Sequence, residues 1–201
     1  MAKTINPVSI DTRDNILAAG QRMMAAKGFT AVGLNEILTS SGVPKGSFYH
    51  YFSSKEAYGE ALLDSYFDDY LAEIDKTLAQ PDQTMAQRVM NYFANWRDTQ
   101  SLMDCQGKCL AVKLGAEVAD LSEPMRLALK KGTAGITSRL AKALEVGIAE
   151  KSLSIHESPE DTAQSLYELW LGASVMVKIV RDRKPFEVAL KATRQILHLS
   201  H

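Results

Sequence analysis

The chain has 201 residues, 46% of them hydrophobic, and a formal net charge of −1, which suits one globular domain or two small ones with a real core. No run approaches the roughly 20 apolar residues of a membrane span, and the N-terminus lacks the apolar centre of a secretory signal. Two cysteines without such a signal point to a reducing cytoplasm.

The pattern is helical nearly throughout, punctuated by Pro and Gly, with no convincing period-two run, so the expected fold class is all-α. The first helix is expected from Asp11 or Thr12 to Lys27, with Gly28 as its stop; its stripe is Ile16, Leu17, Gly20, Met23 and Met24. Leu34, Ile37 and Leu38 make the apolar stripe of a second, short helix. The run Gly42-Val43-Pro44-Lys45-Gly46-Ser47-Phe48-Tyr49-His50-Tyr51-Phe52-Ser53-Ser54-Lys55 reads as a turn and a very short third helix. In it Lys45, Ser47, Tyr49 and His50 can donate hydrogen bonds outward, while Phe48 and Phe52, four apart, share an inner face. Two short helices around a Gly-containing turn form the helix-turn-helix pattern, whose second helix enters the major groove with its N-terminal residues on base edges.

A fourth helix runs from Ser54 to about Ala79, stopped by Pro81, and a fifth from about Thr84 to Met103. After a break at Cys105–Gly107, a shorter helix spans Lys108 to Val118. Ser122-Glu123-Pro124 and Ser158-Pro159-Glu160-Asp161 each open a helix with a Ser cap and acidic and Pro residues in the first turn. The second of these runs to about Asp182. Pro185 opens the last helix, which ends near Leu199. There is no internal repeat, low-complexity segment or long linker. The expected division is a three-helix DNA-binding domain over 1–55 and a second helical domain over 56–201, whose regulatory and dimerisation roles are what the family resemblance given below implies.

Charge supports this division. Residues 1–55 carry six basic side chains (Lys3, Arg13, Arg22, Lys27, Lys45, Lys55) against three acidic ones (Asp11, Asp14, Glu36), and the rest of the chain is net acidic. A modestly basic head on an acidic body fits a DNA module joined to something else. Affinity rests largely on phosphate contacts, so so small an excess is weak alone and dimerisation would double the contacts. Lys45 and Ser47 are expected at base edges, since Lys donates to guanine O6 and N7 and Ser reaches any base. Gly46 permits close backbone approach. Tyr49, His50 and Lys55 suit phosphates, which position without specifying, as do Thr30 and the amides near Gly33 at a helix N-terminus. The alternative for Tyr49, Tyr51 and Phe52 is packing of a small domain.

The body offers Cys109 and Lys178. Cys109 is expected in the first turn of its helix, where the dipole favours thiolate and Lys108 adds positive charge; the alternative is a small buried hydrophobe. Lys178 shares one helix face with Tyr167, Leu171 and Ser174 inside an apolar run, where burial would favour the neutral amine. The alternatives are a snorkelling lysine or a counter-charge to an acidic ligand. A ligand pocket between the middle helices would be lined by Tyr92, Trp96, Met103, Tyr167, Trp170, Leu171 and Ser174, all of which also suit a core. A Cys105–Cys109 disulfide requires a bend at Gly107, because helical i, i+4 geometry is poor for it. His156, His198 and His201 look like loop and tail residues. With no HExxH, phosphate-cradling Gly loop or metal-spaced cysteine pair, no catalytic residue, metal or cofactor is expected.

Phe29-Thr30, the Pro44–Phe52 run and Ser54-Lys55-Glu56 resemble the DNA-binding signature of the TetR family of bacterial repressors, at the family's spacing. The resemblance implies a homodimer through the last two long helices, where Leu166, Leu169, Trp170, Ala173, Val177 and Val180 otherwise suit a monomer core. It also implies a roughly palindromic double-stranded operator. The segments around Cys109 and Lys178 closely resemble the family's N-ethylmaleimide-responsive repressors, which sense reactive electrophiles and hypochlorite. That resemblance implies Cys109 as sensor and Lys178 as its partner in a reversible sulfur–nitrogen bond. This chain departs from that group in lacking most of its other cysteines and in having Cys105. The alternative is a repressor released by a noncovalent acidic or unsaturated metabolite.

Overall fold

A computed structural model of the chain describes residues 7–100 and 109–199; the expectations for Met103, Cys105 and Lys108 fall outside them. The described residues form helices and no strand: α1 (Pro7–Lys27), α2 (Leu34–Ser41), α3 (Lys45–Tyr51), α4 (Lys55–Leu78), α5 (Met85–Gln100), α6 (Leu110–Leu121), α7 (Glu123–Ala149), α8 (Pro159–Val180) and α9 (Lys184–Ile196). Contacts divide the chain into two compact units, Met1–Phe67 with Cys109–Lys130 and Asp68–Lys108 with Lys131–His201.

In the first unit, α1 stops at Gly28 and α2 at Gly42, both left-handed, with φ of 92° and 67°. A left-handed residue just past a helix lets its N–H reach back to the last carbonyls; Gly42 does so to Leu38 and Thr39. The turn then passes through Pro44, whose extended backbone starts α3. Phe48 and Phe52 point inward as their spacing requires. Their rings lie 5.3 and 5.0 Å from that of Tyr58 on α4, among buried Ile16, Met24, Val32 and Ile37. Gly20 permits this packing, because a Cβ there would lie 1.7 Å from the Tyr58 hydroxyl, which donates to the Ile16 carbonyl at 2.8 Å. On α6, Leu110, Leu114 and Val118 recur every four residues and are fully buried, seating the helix with α1 as a neighbour.

In the second unit, Trp170 of α8 stacks between Phe93 of α5 and Phe186 of α9, at 4.9 and 5.8 Å, and donates its indole N–H to Thr193 at 2.9 Å. Ser158 caps α8 by accepting the Asp161 N–H, as its sequence position predicts. The helix ends at Val180 rather than Asp182, because Arg181 turns left-handed (φ 53°) and directs its N–H back to Val177. Likewise α9 ends at Ile196, and left-handed His198 (φ 47°) closes the chain reversal that follows. Outward from this core, Val175, Met176, Ile179 and Val180 of α8 and Val188 of α9 are exposed. The α8 residues follow the three- and four-residue spacing of one helical stripe.

Candidate functional site

The outer side of α3 carries what a groove-reading helix needs. Lys45, Gly46, Tyr49 and His50 are exposed, whereas Phe48 is buried and Ser47 half-buried. The Lys45 ammonium lies 5.8 Å over the Tyr49 ring, and that ring, 49% exposed, rests edge-on against Phe48 at 5.5 Å. A buried anchor therefore orients an exposed tyrosine and, through it, a lysine. A Cβ on Gly46 or on Gly33 would meet nothing within 4 Å, so backbone approach is open at both. His50 packs its ring 4.9 Å from that of Tyr51. Among the head's basic residues, Lys27 is engaged with Glu36, whose carboxyl is held below its ordinary pKa mainly by that hydrogen bond.

Lys55 has a more structural place than its charge suggests. It donates to the Phe29 carbonyl at 2.8 Å and lies 4.4 Å over the Phe29 ring. Burial lowers its pKa, against the opposing charges of Glu56 and Glu117. One of its three protons is thus committed to the protein's own loop.

The other side of that loop is held by Glu117 of α6, a residue no sequence signal marks. Its two oxygens accept the consecutive N–H groups of Phe29, at 3.1 Å, and Thr30, at 2.7 Å. Burial by itself would raise the Glu117 carboxyl; hydrogen bonds from the Thr30 side chain and from both N–H groups, together with the Lys113 charge, outweigh it and lower the pKa. The sign follows: the stabilisation is fully present above the ordinary glutamate pKa of about 4.3 and is lost as pH falls through the lowered folded value. Gly28 is required here twice over, by its φ of 92° and because a Cβ would lie 2.8 Å from Glu117 Oε2. Gly28→Ala is expected to destabilise the protein by about 1–3 kcal/mol, read as a lowered midpoint in urea unfolding.

Cys109 is the N-cap of α6, with extended backbone (φ −77°, ψ 101°), rather than a first-turn residue. Its carbonyl accepts the Lys113 N–H at 3.2 Å, so the helix begins at Leu110 rather than at the expected Lys108. The side chain is 4% exposed. Lys178 is half-buried rather than buried, because the apolar run around it belongs in part to the outward stripe of α8. Cys109 lies in the first compact unit and Lys178 in the second.

Of the residues expected to line a pocket, Met103 lies outside the described residues and the others are buried or half-buried. Tyr92, Trp96, Tyr167, Trp170 and Ser174 are all buried, and Leu171 is half-buried. Trp96 sits 5.7 Å from Tyr167, 6.1 Å from Trp170 and 6.0 Å from Tyr92. The Trp96 indole donates to Ser174 Oγ at 2.9 Å, and Ser174 donates to the Trp170 carbonyl at 2.7 Å. The polar atoms of Trp96 and Ser174 are thus engaged within the protein. A groove of about 820 Å³ lies elsewhere in the same unit, edged by Asn91, Lys151, Ser154, Arg194 and His198, and none of the six described residues of the expected pocket lines it.

Residues 16–62 match the family described as "Bacterial regulatory proteins, tetR family", and residues 86–193 match "Tetracyclin repressor-like, C-terminal domain". The chain belongs to the TetR family. It is 41% identical over 187 residues to the HTH-type transcriptional repressor NemR of Escherichia coli K12, covering 93% of this chain and 94% of that protein. It is 30% identical to the repressor DhaR of Mycobacterium sp. GP1, covering 92% and 95%. The crystal structure of reduced E. coli NemR superposes with a TM-score of 0.89 at 42% identity, over 93% of this chain and 97% of that one.

The chain is therefore a TetR-type transcriptional repressor, and α2 and α3 are its helix-turn-helix. TetR repressors bind operator DNA and act as dimers, and the relatives of this chain are regulators rather than enzymes. No helix among the described residues is long and apolar enough to cross a membrane.

Proposed function

We propose that this TetR-type repressor leaves its operator when Cys109 reacts with an electrophile or oxidant. The observation that carries the reading is a thiol buried at the N-cap of α6 in a chain 41% identical to NemR. The helix N-terminus favours thiolate, the reactive form. Burial makes the reaction consequential. Packed interiors do not accept extra atoms without displacement, so a group added at Sγ must push the start of α6 from its seat on Leu110 and Leu114. At the DNA, Lys45 and Ser47 reach base edges, Tyr49, His50 and Lys55 meet phosphates, and Gly46 and the Gly33 amides allow close approach, whereas the Thr30 donors are held by Glu117. The exposed apolar stripe of α8 with Val188 of α9 is covered by a second copy, which sets two α3 helices on one palindromic operator.

Two chemistries converge on the thiol. An activated alkene adds the thiolate to its β-carbon and takes a proton from water. Hypochlorous acid oxidises the thiolate by two electrons to a sulfenyl chloride, with loss of hydroxide. The Lys178 side chain, once its ammonium has given a proton to water, then displaces chloride and releases a second proton, leaving a sulfur–nitrogen bond that a thiol reductant reverses.

The test is fluorescence anisotropy with double-stranded DNA from upstream of the chain's own coding sequence, before and after N-ethylmaleimide or hypochlorite. Wild type is expected to release and Cys109→Ser to stay bound. Retention by both would sink the thiol reading. A second reading, release by a noncovalent anionic metabolite, is favoured by the groove edged by Lys151, Arg194 and His198. It predicts release by such a compound from Cys109→Ser as readily as from wild type.

A further inference from the structure

Besides its apolar seat against α1, the helix capped by Cys109 holds the loop between α1 and α2 through one carboxylate, and we infer that Glu117 is the positioning residue that carries a displacement of α6 into the helix-turn-helix. The inference rests on the reading of Cys109 as the sensing thiol.

Glu117 lies eight residues after Cys109, about 12 Å along the helix axis at 1.5 Å per residue, on the same rigid element. Its carboxylate takes two consecutive N–H groups, one on each oxygen. Charge-assisted bonds of this kind are roughly twice as strong as neutral ones. The Phe29 peptide is also gripped from its other face, since its carbonyl accepts from Lys55 Nζ at 2.8 Å and from the Val32 N–H at 3.3 Å. The loop between α1 and α2 is therefore a stiff bracket rather than a slack connection. Three residues beyond Thr30, Gly33 caps α2, and its carbonyl accepts the N–H groups of Glu36 and Ile37. A shift of α6 must either drag this bracket, and α2 with it, or break both bonds to Glu117. Either result changes the helix-turn-helix geometry presented to DNA. Gly28, with no Cβ to obstruct the carboxylate, completes the fit.

The experiment follows backbone amide exchange at Phe29 and Thr30 by NMR in the full-length protein, alongside anisotropy with the upstream DNA. Wild type and Glu117→Gln are compared before and after N-ethylmaleimide, with alkylation of Cys109 verified by mass spectrometry. Glutamine keeps the size but turns an NH2 toward a donor, so exchange at the two amides should rise at least about tenfold before any treatment. In wild type, alkylation should raise exchange at both amides and weaken DNA binding. In Glu117→Gln it should change DNA binding by a much smaller factor.

The inference is overturned if wild type releases DNA while both amides keep their protection, or if Glu117→Gln releases by the same factor as wild type; the sensing reading would survive either result. If alkylation changes neither DNA binding nor exchange, the sensing reading falls, and Leu114→Ala, which loosens α6 without touching the thiol, decides the connection. Faster exchange at Phe29 and Thr30 in that variant, with no further increase when Glu117→Gln is added, supports the link; unchanged protection removes it.

Discussion

Placing glutamates at Met176 and Ile179 is expected to hold the repressor as a monomer and to weaken operator binding by about a hundredfold or more. Both residues lie on the outward stripe of α8 with Val175 and Val180, and Ile179 is 67% exposed. Neither fills the monomer's core, so the substitutions should leave its stability nearly unchanged. In a two-fold interface built from α8 and α9, the same substitutions bring four carboxylates into an apolar contact. Uncompensated charge there costs several kcal/mol per group. A dimer engages its second half-site as an intramolecular event, and a monomer loses that advantage. Sedimentation equilibrium reads the assembly and anisotropy the affinity. A variant that remains dimeric would place the interface elsewhere and leave the apolar stripe without a partner.

Phe48→Ala is expected to cost about 3–5 kcal/mol, a large part of the roughly 5–15 kcal/mol that keeps a domain folded. Phe48 is fully buried, touches the rings of Tyr58 and Phe52 at 5.3 Å, and is the surface on which Tyr49 rests. Its loss empties the centre of the head and releases the α3 backbone together with the side chain that orients Lys45. The companion substitution Lys45→Ala should behave in the opposite way. Lys45 is exposed and its ammonium contacts the Tyr49 ring, so the urea midpoint should move little while operator affinity falls by about 1–3 kcal/mol for each half-site. Equal loss of stability in the two variants would contradict the division of α3 into a packed face and a reading face.

That division was legible in the amino acids. Phe48 and Phe52 share a face because four residues make about one helical turn, and Gly42 and Pro44 mark a turn because each restricts or frees its own backbone angles. The Ser158 cap and the Gly28 stop were readable for the same reason. The helix ends at Val180 and Ile196 were less so, because the left-handed turns at Arg181 and His198 occur at residues whose side chains do not announce them.

The surroundings of Cys109 and Glu117 depend on distant parts of the chain. A reading of local sequence starts the helix at Lys108, two residues before its start at Leu110, and the burial of Cys109 is decided by what folds over it. The aromatic residues of α5 and α8 suit a ligand wall and a core equally well by composition. The hydrogen bonds of Trp96 to Ser174 and of Trp170 to Thr193 join residues 78 and 23 apart, which no local pattern announces. The grip of Glu117 on Phe29 spans 88 residues and follows no period. By itself, the sequence determined the helices, their caps and the exposed face of α3, since these rest on neighbours within a turn or two of chain. Tertiary structure decided the buried thiol, the filled core and the bracket between α6 and the DNA head, since burial and long-range hydrogen bonds exist only once remote segments pack together.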